Sequence, residues 1–126
     1  MKKILIVIAD YYEDISSSLL KSAKNNLNNF SLNVISVPGV FEIPITISKN
    51  IKKYDAFIAL GCVIKGETPH FDFISSAATH AIMNLSIESK KPIGNGIITC
   101  LNMEQAKARG KKGKEAAQAI ISVLAQ

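Results

Sequence analysis

The sequence has few of the residues that mark small secreted, metal-binding or membrane proteins. Its 126 residues include no tryptophan and only two cysteines, Cys62 and Cys100. Two cysteines make neither a disulfide framework nor a metal site. No apolar run approaches the ~20 residues that a helix needs to span a bilayer. These absences argue against a disulfide-stapled domain, a metal-binding domain and a membrane protein.

One apolar run lies near the start of the chain and resembles a short secretion signal. It extends from Ile4 to Ala9 and follows Lys2 and Lys3. The run stops at Asp10, which makes it shorter than a normal signal core, and no small-residue cleavage site follows it. We therefore expect a soluble cytoplasmic protein.

The composition is that of an ordinary globular domain. Hydrophobic residues make up 48% of the chain and charged residues 20%, a balance that excludes a disordered chain. A chain of 126 residues falls within the usual range for one domain and can bury a single core. The sequence shows no repeats, low-complexity segments or linkers, so residues 1–126 are predicted to form one domain.

Apolar runs and amphipathic segments alternate along the chain. Lys3–Ala9 is a short run rich in isoleucine and valine, which is typical of a buried strand. Next, Ile15, Leu19, Ala23 and Leu27 recur at four-residue spacing, which indicates one face of a helix. The same reasoning predicts strands at 3–9, 32–37, 55–60 and 92–99, and helices at 13–29, 43–52, 71–89 and 113–124, with a short helix capped by Asn102.

Alternation of strands and helices requires a parallel sheet with helices on both faces. We therefore predict an α/β fold, a three-layer α/β/α sandwich with a four-stranded parallel sheet of the flavodoxin-like type. In such sheets ligands bind at the carboxyl ends of the strands, near a switch in strand order. The candidate site residues should follow the strands, within 10–12, 38–42, 62–70 and 99–102.

Two of these loops carry groups suited to ligand chemistry. Glu42, beside Phe41 at a helix entrance, can accept hydrogen bonds from ligand hydroxyls, although complementing the helix dipole is the simpler interpretation. In the loop predicted at 61–70, Gly66 permits a tight turn, and backbone N–H groups at 67, 68 and 70 could bind a phosphate. His70 can exchange a proton near neutral pH, with helix capping or core packing as the alternative.

The net charge of +5 is concentrated in one basic stretch at 107–114. Such a cluster can bind nucleic acid, an anionic surface or a single phosphate, or it can be a solvated helix end. The stretch lacks the interleaved aromatic residues of a nucleic-acid interface, whereas the Arg109 guanidinium suits a phosphate. The two histidines, His70 and His80, lack partners for a metal, and no cofactor fingerprint occurs. We expect no metal, no cofactor, no nucleic acid and no membrane partner.

Three segments carry a resemblance to one family. GCVIKGETPHFDF at 61–73 resembles the signature loop of the lumazine synthases. PGVFEIP at 38–44 is similar to the PGAFEIP of that family, and NMEQAKAR at 102–109 resembles its NxEQAxxR. The order and spacing of the segments agree, and the resemblance covers nearly the whole chain.

The resemblance implies a transferase of riboflavin biosynthesis that needs no cofactor. Its reaction condenses 5-amino-6-(D-ribitylamino)uracil with 3,4-dihydroxy-2-butanone 4-phosphate to 6,7-dimethyl-8-ribityllumazine, with release of phosphate and water, as the penultimate step of the pathway. Holding two small substrates together can supply much of the acceleration. The alternative is a non-catalytic module of the same fold that binds a flavin or another ligand.

The family's site residues can be placed on matching positions. His70 matches the acid–base histidine, the backbone of Glu67 and Thr68 matches the segment that holds the keto-phosphate, and Arg109 matches the arginine that binds its phosphate, with Lys112 nearby. The remaining matches line the pocket for the uracil and its ribityl chain: Tyr11, Val40, Phe41, Glu42, Cys62, Val63, Ile64 and Asn95.

The resemblance also implies a homo-oligomer. In the family the site lies between adjacent subunits of a pentamer, and the arginine that Arg109 matches comes from the neighbour. We expect a pentamer rather than a shell of twelve pentamers. Two positions depart from the family pattern: Tyr12 stands where asparagine or histidine is common, and Asn95 stands where phenylalanine is frequent.

Overall fold

A four-stranded parallel sheet forms the centre of the fold. The computed structural model of the chain describes residues 1–67 and 70–126. The strands are β1 (Lys3–Ala9), β2 (Ser31–Val37), β3 (Ala56–Ile64) and β4 (Ile93–Cys100), and the helices are α1 (Glu13–Lys24), α2 (Ile43–Lys49), α3 (Phe71–Ser89), α4 (Met103–Ala108) and α5 (Lys112–Leu124). A 3₁₀ turn, Val40–Glu42, precedes α2.

The strand order creates a switch point in the middle of the sheet. The strands lie in the order β2-β1-β3-β4, and each neighbouring pair is parallel. From β1 the chain passes to β2 on one side, whereas β3 and β4 add on the other side. The two crossovers therefore diverge between the carboxyl ends of β1 and β3, where a crevice forms in sheets of this kind.

Helices cover both faces of the sheet, and each face has its own apolar core. On one face Ile6 packs with Leu19 of α1 and Ile120 of α5. On the other face Val7 packs with Ile82 of α3, and α2 belongs to the same core. Successive residues of β1 point to opposite faces, which explains why this strand is a continuous apolar run rather than an alternating one. The predicted three-layer sandwich with a four-stranded parallel sheet is confirmed.

β3 is longer than the sequence predicted. The predicted strand ended at Leu60, before a loop at 61–70, but the pairing continues to Ile64, which lies opposite Cys100. The loop was predicted because the segment carries the turn-forming residues Gly61, Gly66 and Pro69. In the structure the absence of a side chain at Gly61 makes room for Val40, since a Cβ there would lie 2.8 Å from Val40 Cγ2. The last residues of β3 are therefore strand residues and not part of a loop.

Two helices end earlier than predicted, and the other predicted helix ends agree with the structure to within one residue. α1 stops at Lys24 rather than at 29, and α2 stops at Lys49 rather than at 52. Asn25 and Asn50 follow these ends, and asparagine side chains compete with the helix for backbone hydrogen bonds. Leu27 nevertheless stays fully buried in the same core as α1. Within the described ranges, no helix has the length and apolarity needed to cross a membrane.

Candidate functional site

A cleft opens at the switch point, where the carboxyl ends of β1, β2 and β3 meet. Its volume is about 240 Å³. The segments after β1 and β2 form its walls, and the end of β3 with the turn that follows forms its floor. Ile74 of α3 also lines it. The lining residues are Tyr11, Tyr12, Gly39, Val40, Phe41, Cys62, Val63, Ile64, Glu67 and Ile74.

Two tyrosines follow β1 at the mouth of the cleft. Tyr11 is 74% exposed, and its ring meets the ring of Tyr12 edge to face, with centroids 4.9 Å apart. Tyr12 is partly buried against the core on the α1 side of the sheet. The contact supports the Tyr11 ring at the cleft wall, where a planar ligand could stack on it.

The segment after β2 forms the second wall. Val40 is buried, whereas Phe41 is 66% exposed. The Glu42 N–H donates to the Gly39 carbonyl at 3.2 Å, which closes the 3₁₀ turn. Glu42 does not belong to the described lining of the cleft. It lines a neighbouring cavity with Phe41, Pro44 and alanines of α3, so this carboxylate lies beside the predicted pocket rather than inside it.

The end of β3 forms the floor. Cys62 lines the cleft but is only 8% exposed. Burial raises the pKa of the Cys62 thiol to about 12, and Cys100 and Glu67 add to the effect. A thiol with this pKa is protonated at neutral pH and is a weak nucleophile. Cys62 therefore shapes the cleft and does not attack a ligand.

The turn after β3 is held by backbone hydrogen bonds. The Lys65 N–H donates to the Cys100 carbonyl at 2.8 Å, and the Glu67 N–H donates to the Ile64 carbonyl at 3.2 Å. Gly66 has a φ of 88°, a left-handed conformation that favours glycine. In this conformation the Glu67 N–H already donates to the Ile64 carbonyl. It could bind a phosphate only if one N–H donated to both acceptors.

A side-chain hydrogen bond joins this turn to the segment after β1. The Tyr12 hydroxyl donates to Glu67 Oε1 at 3.1 Å. Burial and this carboxylate raise the pKa of the Tyr12 hydroxyl to about 12. The hydroxyl therefore remains a hydrogen-bond donor at any pH near neutrality.

The predicted acid–base residue lies at the start of α3. His70 is exposed, its ring centroid lies 6.4 Å from that of Phe73, and its carbonyl accepts from the Ile74 N–H at 2.8 Å. The described lining of the cleft does not include His70. Thr68, the other predicted residue of this loop, lies outside the described residues together with Pro69.

The predicted phosphate ligands lie in a second cavity, along the edge strand β4. This cavity has a volume of about 500 Å³ and is lined by Ile97, Ile98, Thr99, Ala108, Arg109, Lys111, Lys112 and Glu115. Arg109 Nη1 donates to the Thr99 carbonyl at 3.1 Å and lies 3.8 Å from Cys100 Sγ. Within the described part of the chain, no residue lines both this cavity and the cleft.

The position of Arg109 follows from the cap of α4. Asn102 Oδ1 accepts from the Gln105 N–H at 2.9 Å, and Gln105 Oε1 accepts from the Leu101 N–H at 2.8 Å. The sequence predicted the cap by Asn102, and the bond from the Leu101 N–H to Gln105 adds to it. α4 ends at Ala108, so Arg109 leaves the helix at the edge of β4.

Asn95 is not brought to the cleft. It pairs with Ala59 in the middle of the sheet, away from the carboxyl ends of the strands. Its side chain is exposed, and Oδ1 accepts from the Ile97 N–H at 3.0 Å. Within a single chain, Asn95 is therefore separated from the other predicted pocket residues.

Three residues of the cleft were not predicted as site residues: Tyr12, Gly39 and Ile74. Gly39 lies inside a strand-end segment that the sequence did single out. Ile74 is part of the apolar spacing of α3, and nothing in that spacing distinguishes a cleft residue from a core residue. Tyr12 lies in the segment after β1, 10–12, that the sequence predicted to contain site residues, but it was not itself assigned a role.

The two cavities suit different chemical groups. Aromatic and apolar side chains dominate the cleft, which suits a planar organic ring. The second cavity combines Arg109, Lys111 and Lys112 with the carboxylate of Glu115, which suits an anion such as a phosphate. Across residues 1–67 and 70–126, no three or more His, Cys, Asp and Glu side chains gather where they could hold a metal ion.

Comparison with known proteins identifies close relatives of the chain. The family model described as 6,7-dimethyl-8-ribityllumazine synthase matches residues 1–126. A protein of Rhodopseudomonas palustris named 6,7-dimethyl-8-ribityllumazine synthase 1 is 43% identical over 136 residues, which cover 97% of this chain and 83% of the relative. A Bartonella tribocorum 6,7-dimethyl-8-ribityllumazine synthase is also 43% identical, over 97% of this chain and 87% of its own length.

A solved structure shares the fold without sharing the sequence. The crystal structure of a 3-dehydroquinate dehydratase-like protein from Bifidobacterium longum superposes with a TM-score of 0.54 at 13% identity and covers all of both chains. At this identity the likeness concerns the fold alone. It agrees with the flavodoxin-like arrangement of the sheet and helices.

Proposed function

Because the chain belongs to the 6,7-dimethyl-8-ribityllumazine synthase family, we propose that the cleft at the switch point and the cationic cavity beside β4 bind its two substrates. The protein is a transferase of riboflavin biosynthesis. It condenses 5-amino-6-(D-ribitylamino)uracil with 3,4-dihydroxy-2-butanone 4-phosphate to give 6,7-dimethyl-8-ribityllumazine. The non-catalytic binding module is not favoured.

In this proposal the cleft binds the uracil ring and its ribityl chain. The observation that carries the assignment is the pair of exposed aromatic side chains, Tyr11 and Phe41, on the walls of the cleft. A flat heterocycle can stack on such rings. The protonated thiol of Cys62 forms part of the cleft floor and does not act as a nucleophile toward the substrate. Glu42 lines the neighbouring cavity, which shares Phe41 with the cleft, and we assign it to the ribityl chain.

The phosphate of the second substrate is assigned to Arg109 and Lys112. A guanidinium binds two phosphate oxygens with its fork of N–H groups, and an ammonium adds charge. Both residues line the cavity at the edge of β4 and not the cleft. A complete site therefore needs a second subunit whose Arg109 lies near the cleft of the first, which supports an oligomer.

The exposed face of α3 supports the same assembly. Phe73 is 78% exposed, and Met83 and Ile87 on the same helix are also exposed. A soluble monomer seldom leaves several large apolar side chains of one helix in water. β4 also presents an open edge, as the last strand of the sheet. We infer that α3 and the edge of β4 pack against neighbouring subunits in a ring of five.

Light scattering tests the assembly. With a subunit of 13.6 kDa, a pentamer has a mass of about 68 kDa and a shell of twelve pentamers about 816 kDa. We expect the smaller particle, and replacing Phe73 by glutamate should shift it toward monomers because a carboxylate would be buried in the interface. A particle near a megadalton would contradict the pentamer, and a monomer that retains activity would contradict the shared site.

His70 is proposed to transfer protons during imine formation and phosphate release. Replacing it by alanine should lower kcat by about tenfold, less than the hundredfold or more that acid–base groups often contribute, because positioning supplies much of the rate. The matched control is His80→Ala, which removes the other histidine, exposed on α3 beside Ser76. An unchanged kcat and pH profile in the His70 variant would exclude His70 from the chemistry.

The activity itself is tested by mixing the purified protein with both substrates and following the fluorescent lumazine against a reaction without protein, since the condensation also proceeds slowly unaided. Saturable acceleration supports the synthase. A folded, assembled protein that binds the ribitylaminouracil without acceleration would instead support the binding module. We place this activity in the cytoplasm, where the free thiols of Cys62 and Cys100 stay reduced.

A further inference from the structure

One hydrogen bond crosses the mouth of the cleft between segments that are distant in sequence. The Tyr12 hydroxyl donates at 3.1 Å to Oε1 of Glu67, which lies 55 residues further along the chain. Tyr12 belongs to the segment after β1 and Glu67 to the turn after β3, and both line the cleft. The bond therefore joins the two sides of the switch point.

The donor side of this bond is anchored. Tyr12 packs against the core on the α1 side and, together with Met103 of α4, lines an adjoining cavity. The edge-to-face contact with Tyr11 restrains it further. Glu67, in contrast, is exposed on a turn. A side chain that is held by packing can orient an exposed partner at a binding site.

The donor also keeps its proton under working conditions. The pKa of Tyr12 is raised to about 12 by burial and by the Glu67 carboxylate. A protonated phenol facing a carboxylate makes a charge-assisted hydrogen bond, which is stronger than one between neutral groups. The contact is thus available throughout the neutral and mildly alkaline range.

We propose that Tyr12 is a positioning residue, whose hydroxyl holds Glu67 and thereby sets the turn after β3 in place for the phosphate-bearing substrate. This rests on the proposed function and on the match of this turn to the family segment that holds the keto-phosphate. Tyr12 acts through Glu67 and does not touch the reacting atoms. Loss of its hydroxyl should weaken binding of the keto-phosphate more than binding of the uracil, although both residues line the cleft assigned to the uracil.

Steady-state kinetics on the full assembled protein test this role. Tyr12→Phe keeps the ring and removes the donor, so the KM for the keto-phosphate should rise about fivefold, the factor expected for one net hydrogen bond, with a smaller rise in the KM for the uracil. Glu67→Ala should have the same effect, whereas Glu67→Gln retains an acceptor oxygen and should restore most of the binding. In the double variant Tyr12→Phe/Glu67→Ala, the effects should not add.

Tyr54→Phe is the matched control, because it removes the same hydroxyl from a tyrosine packed on Phe57 at the opposite end of β3. Thermal unfolding and light scattering establish whether each variant folds and assembles. If Tyr12→Phe does not assemble, Glu67→Ala provides the test instead, because Glu67 is exposed.

Equal rises in both KM values, additive effects, or a Tyr12 variant that matches the Tyr54 control would overturn the positioning role. An inactive wild-type protein would overturn the proposed function and this role together, whereas an active wild type with an unaffected Tyr12 variant would overturn this role alone.

Discussion

Replacing Arg109 by alanine should raise the KM for 3,4-dihydroxy-2-butanone 4-phosphate about 30-fold or more, since truncating one partner of a hydrogen-bonded charge pair costs about 2 kcal/mol or more. The KM for the ribitylaminouracil should change little, because Arg109 lies in the cavity beside β4 and not in the cleft. Initial rates measured while each substrate is varied in turn give both constants.

Two further variants separate charge from geometry. Arg109→Lys keeps the charge but loses the planar fork, so its KM should lie between those of the wild type and the alanine variant. Lys114→Ala removes a cation from the same basic stretch at a position outside the cavity, and its kinetics should stay close to those of the wild type. Equal increases in both KM values for Arg109→Ala would instead indicate that Arg109 has a structural role, through its bond to Thr99.

Replacing Gly113 by alanine should destabilise the fold by about 2 kcal/mol or more, a typical cost for forcing an atom into a packed interior. Helix propensity alone predicts the opposite sign, a gain of up to about 1 kcal/mol. Packing dominates here because Gly113 is buried where α5 lies against α1. A Cβ at this position would overlap the carbonyl oxygen of Leu19 and crowd Ser22, and a backbone carbonyl cannot move aside.

Gly110→Ala is the control for this substitution. Its Cβ would meet Oγ of Ser18, a side-chain atom that can rotate away, so the expected loss is small. Urea unfolding at one fixed protein concentration gives the free energy of unfolding for each variant, since the apparent stability of an oligomer depends on concentration. If Gly113→Ala were as stable as the wild type, α1 and α5 would not pack as closely as the structure has them.

Most of the layer arrangement could be predicted from short stretches of sequence. The apolar run of β1, the four-residue spacing of α1 and the cap of α4 each depend on residues close together in the chain. The ends of α1 and α2 were mispredicted although the asparagines that follow them act locally, whereas the end of β3 was mispredicted because distant residues decide it. β3 continues past Gly61 because β4 offers partners up to Cys100.

The candidate site was predicted less completely than the fold. Residues directly after strands, such as Val40, Phe41 and Glu67, do meet in the cleft, because parallel strands bring their carboxyl ends to one edge. Arg109 and Asn95 do not join them within one chain. The roles proposed for them depend on how subunits would pack, which a single chain does not specify.

The sequence by itself determined the class of fold, because periodicity, caps and turn residues act over a few positions of the chain, and its resemblance to a known family indicated the loops predicted to carry the chemistry. Only the tertiary structure decided which of those loops meet. The strand order places Tyr12 within hydrogen-bond distance of Glu67, and it leaves Arg109 at the edge of β4, apart from the cleft. The physical reason is that such contacts depend on strand register and crossover path, which are set by the burial of two whole apolar faces and not by any local pattern.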